Sequence, residues 1–365
     1  MYYEEKETSF DNFGLFGGTD VTMNAFAPNQ TLLLHNETDR DLKQYAIFGE
    51  LSYDLTDQVS ITFGGRVFDY DRDVVEQDFA SAFSTGSPPS QLSGSENDSS
   101  FKVGVQYTPG ESSLLYVTWS EGFRLGYPVP AESLPASICD PDGDGFYDGS
   151  NGISTGPRSI DNDFVENFEL GAKFALLDNR LTVNTAVYQI SWEGIPITQV
   201  FDFCSATANA GEAQSRGVEL DVSYALNENL LVNISSSYVD AELTEDAPSL
   251  NAFDGDRLPG SPKSNASLGL EYSFLLGGHD AYLRTDYTYV GGFYSNLQES
   301  GSEAGDYGKL NLKVGVVVDQ FDIDIYINNL TNDDAITWVH QEGFPSERGN
   351  RLRPRSIGFN VGYRF

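Results

Sequence analysis

Cysteine, histidine, tryptophan and methionine are all scarce in this chain of 365 residues, at two, three, three and two. Two cysteines are too few for a disulfide framework. The histidines, His35, His279 and His340, are scattered and show no metal-ligand spacing. No run of about eighteen apolar residues exists, so no helix is expected to cross a membrane. Basic residues are also few: 21 against 55 acids, a net charge of −34. That balance argues against nucleic acid as a partner, because phosphate contacts need an excess of Lys and Arg. The plain reading of the acidity is a solvated, self-repelling surface. There is no P-loop, no GxSxG, no HExxH and no arguable Ser/His/Asp set, so the chain is not expected to be an enzyme. Met1 is followed by "YYEEKETSF", with neither a basic nor an apolar leader region, so no signal peptide is expected.

What the chain does have is tyrosine, phenylalanine and glycine (20, 24 and 36) in a period of two. At the carboxy end, "RSIGFNVGYRF" puts Ile357, Phe359, Val361, Tyr363 and Phe365 on one face and Ser356, Gly358, Asn360, Gly362 and Arg364 on the other. This alternation is that of a strand with one apolar and one polar face. It recurs in "KQYAIFGELSYDL", "FKVGVQYT", "NFELGAKFAL", "GVELDVSYAL", "NASLGLEYSF", "KLNLKVGVVV" and "FDIDIYIN". In "RLTVNTAVYQISW" the apolar phase shifts near Val187–Tyr188, which predicts a bulge. Strands of roughly 9–14 residues match a tilted membrane crossing.

The connections alternate short and long. "TDQ", "PGES", "LDN", "NEN", "GGH" and "DQ" are the short ones; the long ones cover residues 73–100, 125–163, 195–213, 244–261, 294–305 and 332–351. Loops beyond about 12–15 residues are uncommon in a compact soluble domain. Regular alternation of tight turn and long loop marks a transmembrane antiparallel β-barrel, with its apolar face toward lipid and its polar face toward the lumen. The soluble alternative, a sandwich or propeller, would use shorter strands and loops. Tyr45, Tyr107, Tyr272 and Tyr289 suit an interfacial aromatic girdle or, equally, cross-strand packing.

Five stretches carry a family resemblance: "YVTWSEGFRLG", "ENFELGAKFALLDNRLTVNTAVYQISWEGI", "NAGEAQSRGVELDVSYAL", "INNLTNDD" and "RPRSIGFNVGYRF". Together, and in this order, they resemble the carboxy-terminal barrel of a TonB-dependent outer-membrane receptor. The resemblance implies a barrel of about twenty-two strands, of which about fourteen are present here. It also implies a plug inside the barrel, and uptake of a scarce ligand, foremost an iron–siderophore complex, powered by the TonB energy-coupling complex. Partners would be that complex, the ligand, and the lipid and lipopolysaccharide of a Gram-negative outer membrane. No plug or coupling box is recognisable, so residues 1–365 are expected to be part of a receptor barrel that stays an open arc. The alternative is a complete passive diffusion channel. Glu50, Lys173, Glu219, Asp221, Glu271, Arg284 and Lys313 fall on the polar phase, where they would meet a plug or simply water.

Three loop features stand out. In "CDPDGDGFYDG", Asp140, Asp142, Asp144 and Asp148 lie at positions 1, 3, 5 and 9 of a calcium-loop pattern, with Gly145 at 6 but Asn151 at 12. The loop is either a calcium site or a plain acidic loop. Cys139 and Cys204 lie in consecutive long loops, where an extracytoplasmic setting would permit a disulfide. Arg351, Arg353 and Arg355 share the phase of Ile357 and would meet lipopolysaccharide phosphates, unless Pro354 turns some of them into the lumen or water. If the acidic loop binds calcium, the ion should protect residues 125–163 from proteolysis, and Asp142→Ala should abolish the protection. Proteolysis indifferent to calcium would leave a plain acidic loop.

Overall fold

The computed structural model describes residues 2–14, 32–79, 89–128, 159–201, 204–299, 301–340 and 348–365. Fourteen strands form one antiparallel sheet in sequence order. They are β1 (Tyr2–Gly14), β2 (Leu32–Thr56), β3 (Val59–Asp78), β4 (Ser90–Gly110), β5 (Ser113–Arg124), β6 (Asp163–Leu176) and β7 (Leu181–Glu193). The series continues with β8 (Glu212–Ala225), β9 (Leu230–Leu243), β10 (Ser264–Leu276), β11 (His279–Val290), β12 (Tyr307–Val318), β13 (Phe321–Asn328) and β14 (Ser356–Tyr363). Within the sheet β1 pairs with β2 and β14 with β13. No ladder joins β1 to β14 among the described residues, so the sheet is the expected open arc.

The alternating pattern decides which way each side chain points. The apolar phase faces out of the arc and is not covered by protein. Ile47 is 83% exposed, Leu51 70%, Phe359 77% and Ile357 72%. These values belong to a surface whose natural solvent is hydrocarbon, since a soluble protein rarely leaves so large an apolar patch uncovered. Tyr45, Tyr107 and Tyr272 are exposed on the same face.

The inner face is drawn together by tyrosines lying across glycines of the next strand. Tyr116 faces Gly171, Tyr188 faces Gly217, Tyr282 faces Gly315 and Tyr326 faces Gly358 in direct register. A Cβ at any of these glycines would overlap the ring. The flat ring shields backbone that a glycine leaves bare, a known way to strengthen a curved sheet. Tyr116 donates to Glu169 at 2.6 Å and Tyr282 to Asp324 at 2.7 Å, which satisfies the hydroxyls.

This arrangement corrects the bulge expected at Val187–Tyr188. Strand β7 keeps unbroken register with both neighbours. Its apolar phase changes because Tyr188 and Trp192 serve the inner wall, one over Gly217 and the other against a core of loop residues. The register shifts of the main sheet lie elsewhere, at Phe13/Gly14, Asp54/Thr56 and Tyr107/Gly110.

Strand lengths also depart from expectation. β2, β3 and β4 have 25, 20 and 21 residues, whereas a crossing needs about 9–11. Their surplus continues the pairing beyond the apolar belt, toward the long loops. There the outward face of β3 becomes Asp69, Asp71 and Asp73, all exposed, while Phe68, Tyr70 and Val74 on the inner face are buried. Two-residue alternation therefore persists after the lipid has ended.

At this end the loops fold into small apolar cores. Ile195, Ile197, Ala210, Leu243, Leu250 and Leu297 are buried together, with Trp192 and Leu258 against them. A second cluster joins Phe293, Ala304 and Val339 to Ile336, and the Trp338 ring lies 5.6 Å from that of Phe293. Hairpins inside two loops supply part of these cores: Pro196–Phe201 with Cys204–Asn209 gives Ile197, and Ile336–His340 with Arg348–Arg351 gives Ile336, Trp338 and Val339.

Gly171→Val should displace the Tyr116 ring and cost about 1–3 kcal/mol, as overpacking does. Gly49→Ala, with nothing within 4 Å of the added carbon, should be neutral or stabilising. Urea unfolding in detergent micelles compares the two, and equal effects would remove the clasp from the account.

Candidate functional site on the inner wall

The polar phase of the arc forms one continuous inner wall, and its charged side chains sort into three levels. Nearest the short turns, Glu271, Arg284, Lys313 and Tyr326 stand side by side across β10–β13. Arg284 lies 3.7 Å from Glu271 and makes a forked contact with Asp286, through Nε at 3.0 Å and Nη2 at 2.9 Å. Lys313 meets Asp324 at 3.0 Å and sits over the Tyr282 ring at 5.5 Å. Arg364 grips Asp322 with two contacts of 2.7 and 2.8 Å. Glu271, Arg284, Asp286, Lys313 and Asp324 edge a recess of about 480 Å³. Most are half-exposed, so each pair contributes little stability. Their effect is to keep a hydrated wall ordered and nearly neutral.

The middle level differs. Glu219 and Asp221 border a recess of about 330 Å³ with Ser235, Ser237, Asn265 and Ser267. Among the described residues neither carboxylate has a cation at ion-pair distance. Their neighbours are hydroxyls and amides, which solvate a carboxylate without cancelling its charge. Farther along the arc, on β2 and β4, Glu50 pairs with Lys102 at 3.3 Å, and on β6 Lys173 lies 5.9 Å above the Tyr116 ring of β5.

The outer level is the most buried. Asp163, 3% exposed, accepts from Arg124 Nε at 2.8 Å and from Trp192 Nε1 at 3.0 Å, and Arg124 stacks over the indole at 5.4 Å. One residue earlier, the buried Asn162 accepts through Oδ1 from the Tyr70 hydroxyl at 2.6 Å and from the Gly126 N–H at 2.7 Å. Asn209 Nδ2 donates to the carbonyl of Gly194 at 2.6 Å, and its Oδ1 accepts from the Asp161 N–H at 2.9 Å. Phe68 and Phe123 stack at 3.9 Å, with Arg66 over both rings. Tyr70 stands in the part of β3 beyond the belt, where burial, and then the charge of Glu96, raise its phenol pKa and keep it a donor. This knot closes the wall where the chain passes from strand into loop.

All seven charges expected on the polar phase stand on the inner wall. The knot was not foreseen from the sequence. Asp163, Asn162, Arg124 and Trp192 come from three separate segments, and only register brings them together. Asp140, Asp142, Asp144, Asp148 and Cys139 lie outside the described residues. Cys204 opens a hairpin strand, and its side chain is likewise outside the description. Arg351, Arg353 and Arg355 are exposed at the outer end of the last strand pair.

A belt of bare apolar side chains around a charged inner wall is the cross-section of a membrane barrel. A family model described as TonB dependent receptor-like, beta-barrel, matches residues 2–330. The chain belongs to this receptor family. Among its relatives, the "Probable TonB-dependent siderophore receptor PiuA" of Acinetobacter baumannii is 22% identical over 271 residues, covering 71% of this chain and 33% of the relative. The "Metal-pseudopaline receptor CntO" of Pseudomonas aeruginosa is 30% identical over 164 residues, or 45% of this chain and 23% of the relative. Among solved structures, the ferric yersiniabactin uptake receptor FyuA of Yersinia pestis matches 99% of this chain and 50% of its own, with a TM-score of 0.76 and 16% identity. The siderophore receptor PiuA of A. baumannii follows at 0.68, with 99% and 52% covered and 16% identity. The chain thus spans about half the length of these solved receptors and a third or less of the curated relatives.

In this receptor barrel the Asp163 knot should matter more than the hydrated pairs. Asp163→Ala strips the acceptor from a partly buried indole N–H and should cost about 1–3 kcal/mol. Glu50→Gln breaks a half-exposed pair and should cost about 1 kcal/mol or less. Thermal melting in detergent compares them, and a reversed order would contradict the ranking.

Proposed function

We propose that this chain is a large part of the wall of an outer-membrane receptor for energy-coupled uptake of an iron–siderophore complex in a Gram-negative bacterium. The observation that carries the reading is the sidedness of the sheet, bare and apolar outside, charged and hydroxyl-lined inside. The receptor relatives support the ligand class. The passive-channel alternative is not favoured, since the relatives are named as receptors.

The inner wall fits a plug-filled lumen. Glu219 and Asp221 would face Lys or Arg side chains of a plug, and hydroxyl neighbours would let that contact form and break at low cost. Ligand would enter past the outer knot, and TonB would act on the plug rather than on this wall. A calcium ion at Asp140, Asp142, Asp144 and Asp148, and a bridge between Cys139 and Cys204, are proposed as braces of the loops that receive ligand.

The test is uptake. The full-length protein is produced in a Gram-negative strain lacking its own siderophore receptors. Radio-iron is supplied as a ferric tris-catecholate or a ferric tris-hydroxamate, with and without functional TonB. Saturable, TonB-dependent uptake of one complex is expected. Uptake that is linear in concentration and indifferent to TonB would overturn the reading in favour of a channel. Transport of a different metal chelate alone would overturn the iron assignment.

A further inference from the structure

We propose that Arg353 and Arg355, with Arg351 beside them, form a rim site for the phosphates of a phosphorylated glycolipid in the leaflet at the long-loop end. The inference rests on the membrane placement argued above and adds a lipid partner to it.

The outward ladder of the last strand is Val361, Phe359 and Ile357, in register with Ile323, Ile325 and Ile327 of β13. Ile357 is 72% exposed, so the lipid belt reaches the end of this strand pair. The next residues toward the long loops are Arg355, Arg353 and Arg351, all exposed. Pro354 has no N–H to give a ladder, and strand pairing stops here.

The segment is nonetheless pinned. Asn332 Oδ1 accepts from the Arg355 N–H at 2.9 Å, and Asn329 Nδ2 donates to the Arg353 carbonyl at 2.9 Å. The Leu352 N–H donates to the Ala335 carbonyl at 3.0 Å. Side chains follow: Arg355 Nη1 reaches the Leu330 carbonyl at 3.4 Å, and Arg351 Nη1 reaches Asp334 through its carbonyl at 2.9 Å and its carboxylate at 3.3 Å. The "NNLTNDD" turn therefore holds three arginines at the edge of the apolar belt. Among the described residues, Arg353 and Arg355 have no carboxylate at ion-pair distance. Arg351 is partly neutralised by Asp334.

On the outward face of β3 and β6 the long-loop end is acidic, whereas β8 carries the exposed Arg216 beyond Val218. Asp69, Asp71 and Asp73 stand beyond Val67, and Glu166 stands beyond Phe168, all exposed. Those carboxylates repel a phosphate layer, and the arginine rim attracts one. A guanidinium fork matches two phosphate oxygens at once, and near a charged leaflet it gains further from the surface potential. On a chain of net charge −34, the three arginines form a local basic cluster where the last strand leaves the belt.

The experiment uses the full-length protein in detergent. Three probes are compared: lipopolysaccharide carrying both lipid A phosphates, the same lipid after phosphatase treatment, and inorganic phosphate. The double variant Arg353→Gln/Arg355→Gln should bind the phosphorylated lipid at least tenfold more weakly, with a shallower salt dependence. Arg353→Lys/Arg355→Lys should retain most of the affinity, which separates charge from misfolding. Arg351→Gln should lose less. The dephosphorylated lipid should not distinguish wild type from variant. Unchanged affinity in the double Gln variant, or an equal loss with dephosphorylated lipid, overturns the proposal. Inorganic phosphate bound as tightly as lipid would make this a small-anion site and overturn it too. Iron uptake scores the receptor reading separately, so a variant with intact uptake and unaltered lipid affinity sinks this inference alone.

Discussion

A backbone that crosses hydrocarbon has no water to bond to, so each N–H and C=O must find its partner on the neighbouring strand. Everything else in this structure follows from that requirement. It dictates long antiparallel strands in sequence order, each bonded to the next. Strand geometry then sends alternate side chains to opposite solvents, which is why Ile357 and Phe359 face out and Gly358 and Asn360 face in. The tyrosine–glycine clasps serve the same end, because they cover glycine backbone on the inner face that would otherwise be bare. The ion pairs of the inner wall are a consequence rather than a cause, since a hydrated lumen tolerates charge cheaply.

Where the strands outrun the membrane, the constraint relaxes and the chain uses other means. Asp69, Asp71 and Asp73 replace apolar groups on the outer face, while Phe68, Tyr70 and Val74 turn the inner face into a packed surface. Loops that could have remained separate fold into cores around Leu243, Leu250 and Leu297. The knot at Asp163 ties that layer to the wall through one buried carboxylate and one buried amide. The long-loop end is therefore organised like a small globular layer set on a membrane barrel. Such a layer fixes the loops relative to the strands below.

Much of this was legible in the residues because period-two patterning is local. The strands, their two faces and the alternation of turns with loops all follow from neighbours in sequence. The seven charges assigned to the lumen stand there for the same reason. The Val187–Tyr188 phase shift misled, because an inward aromatic over Gly217 and a bulge leave the same trace in one strand. Only the register of the adjacent strand separates them. The surplus length of β2–β4 was also hidden, since acidic alternation beyond the belt resembles a polar loop. The Asp163–Arg124–Trp192 knot was out of reach, because its members lie on three strands and none belongs to a motif. Asn329 and Asn332 were visible as part of a family-like stretch, but their work of pinning the arginine segment depends on backbone contacts across the turn.

Alternate residues of the last strand face lipid and lumen. Single nitroxide labels at successive positions from Ser356 to Val361, in the full-length protein in bilayers, test it most directly. Labels at Ile357, Phe359 and Val361 should relax with membrane-dissolved oxygen, and those at Ser356, Gly358 and Asn360 with a water-soluble nickel chelate, in strict alternation. Accessibility that is uniform along the strand, or an apolar phase accessible only to the aqueous reagent, would contradict the account.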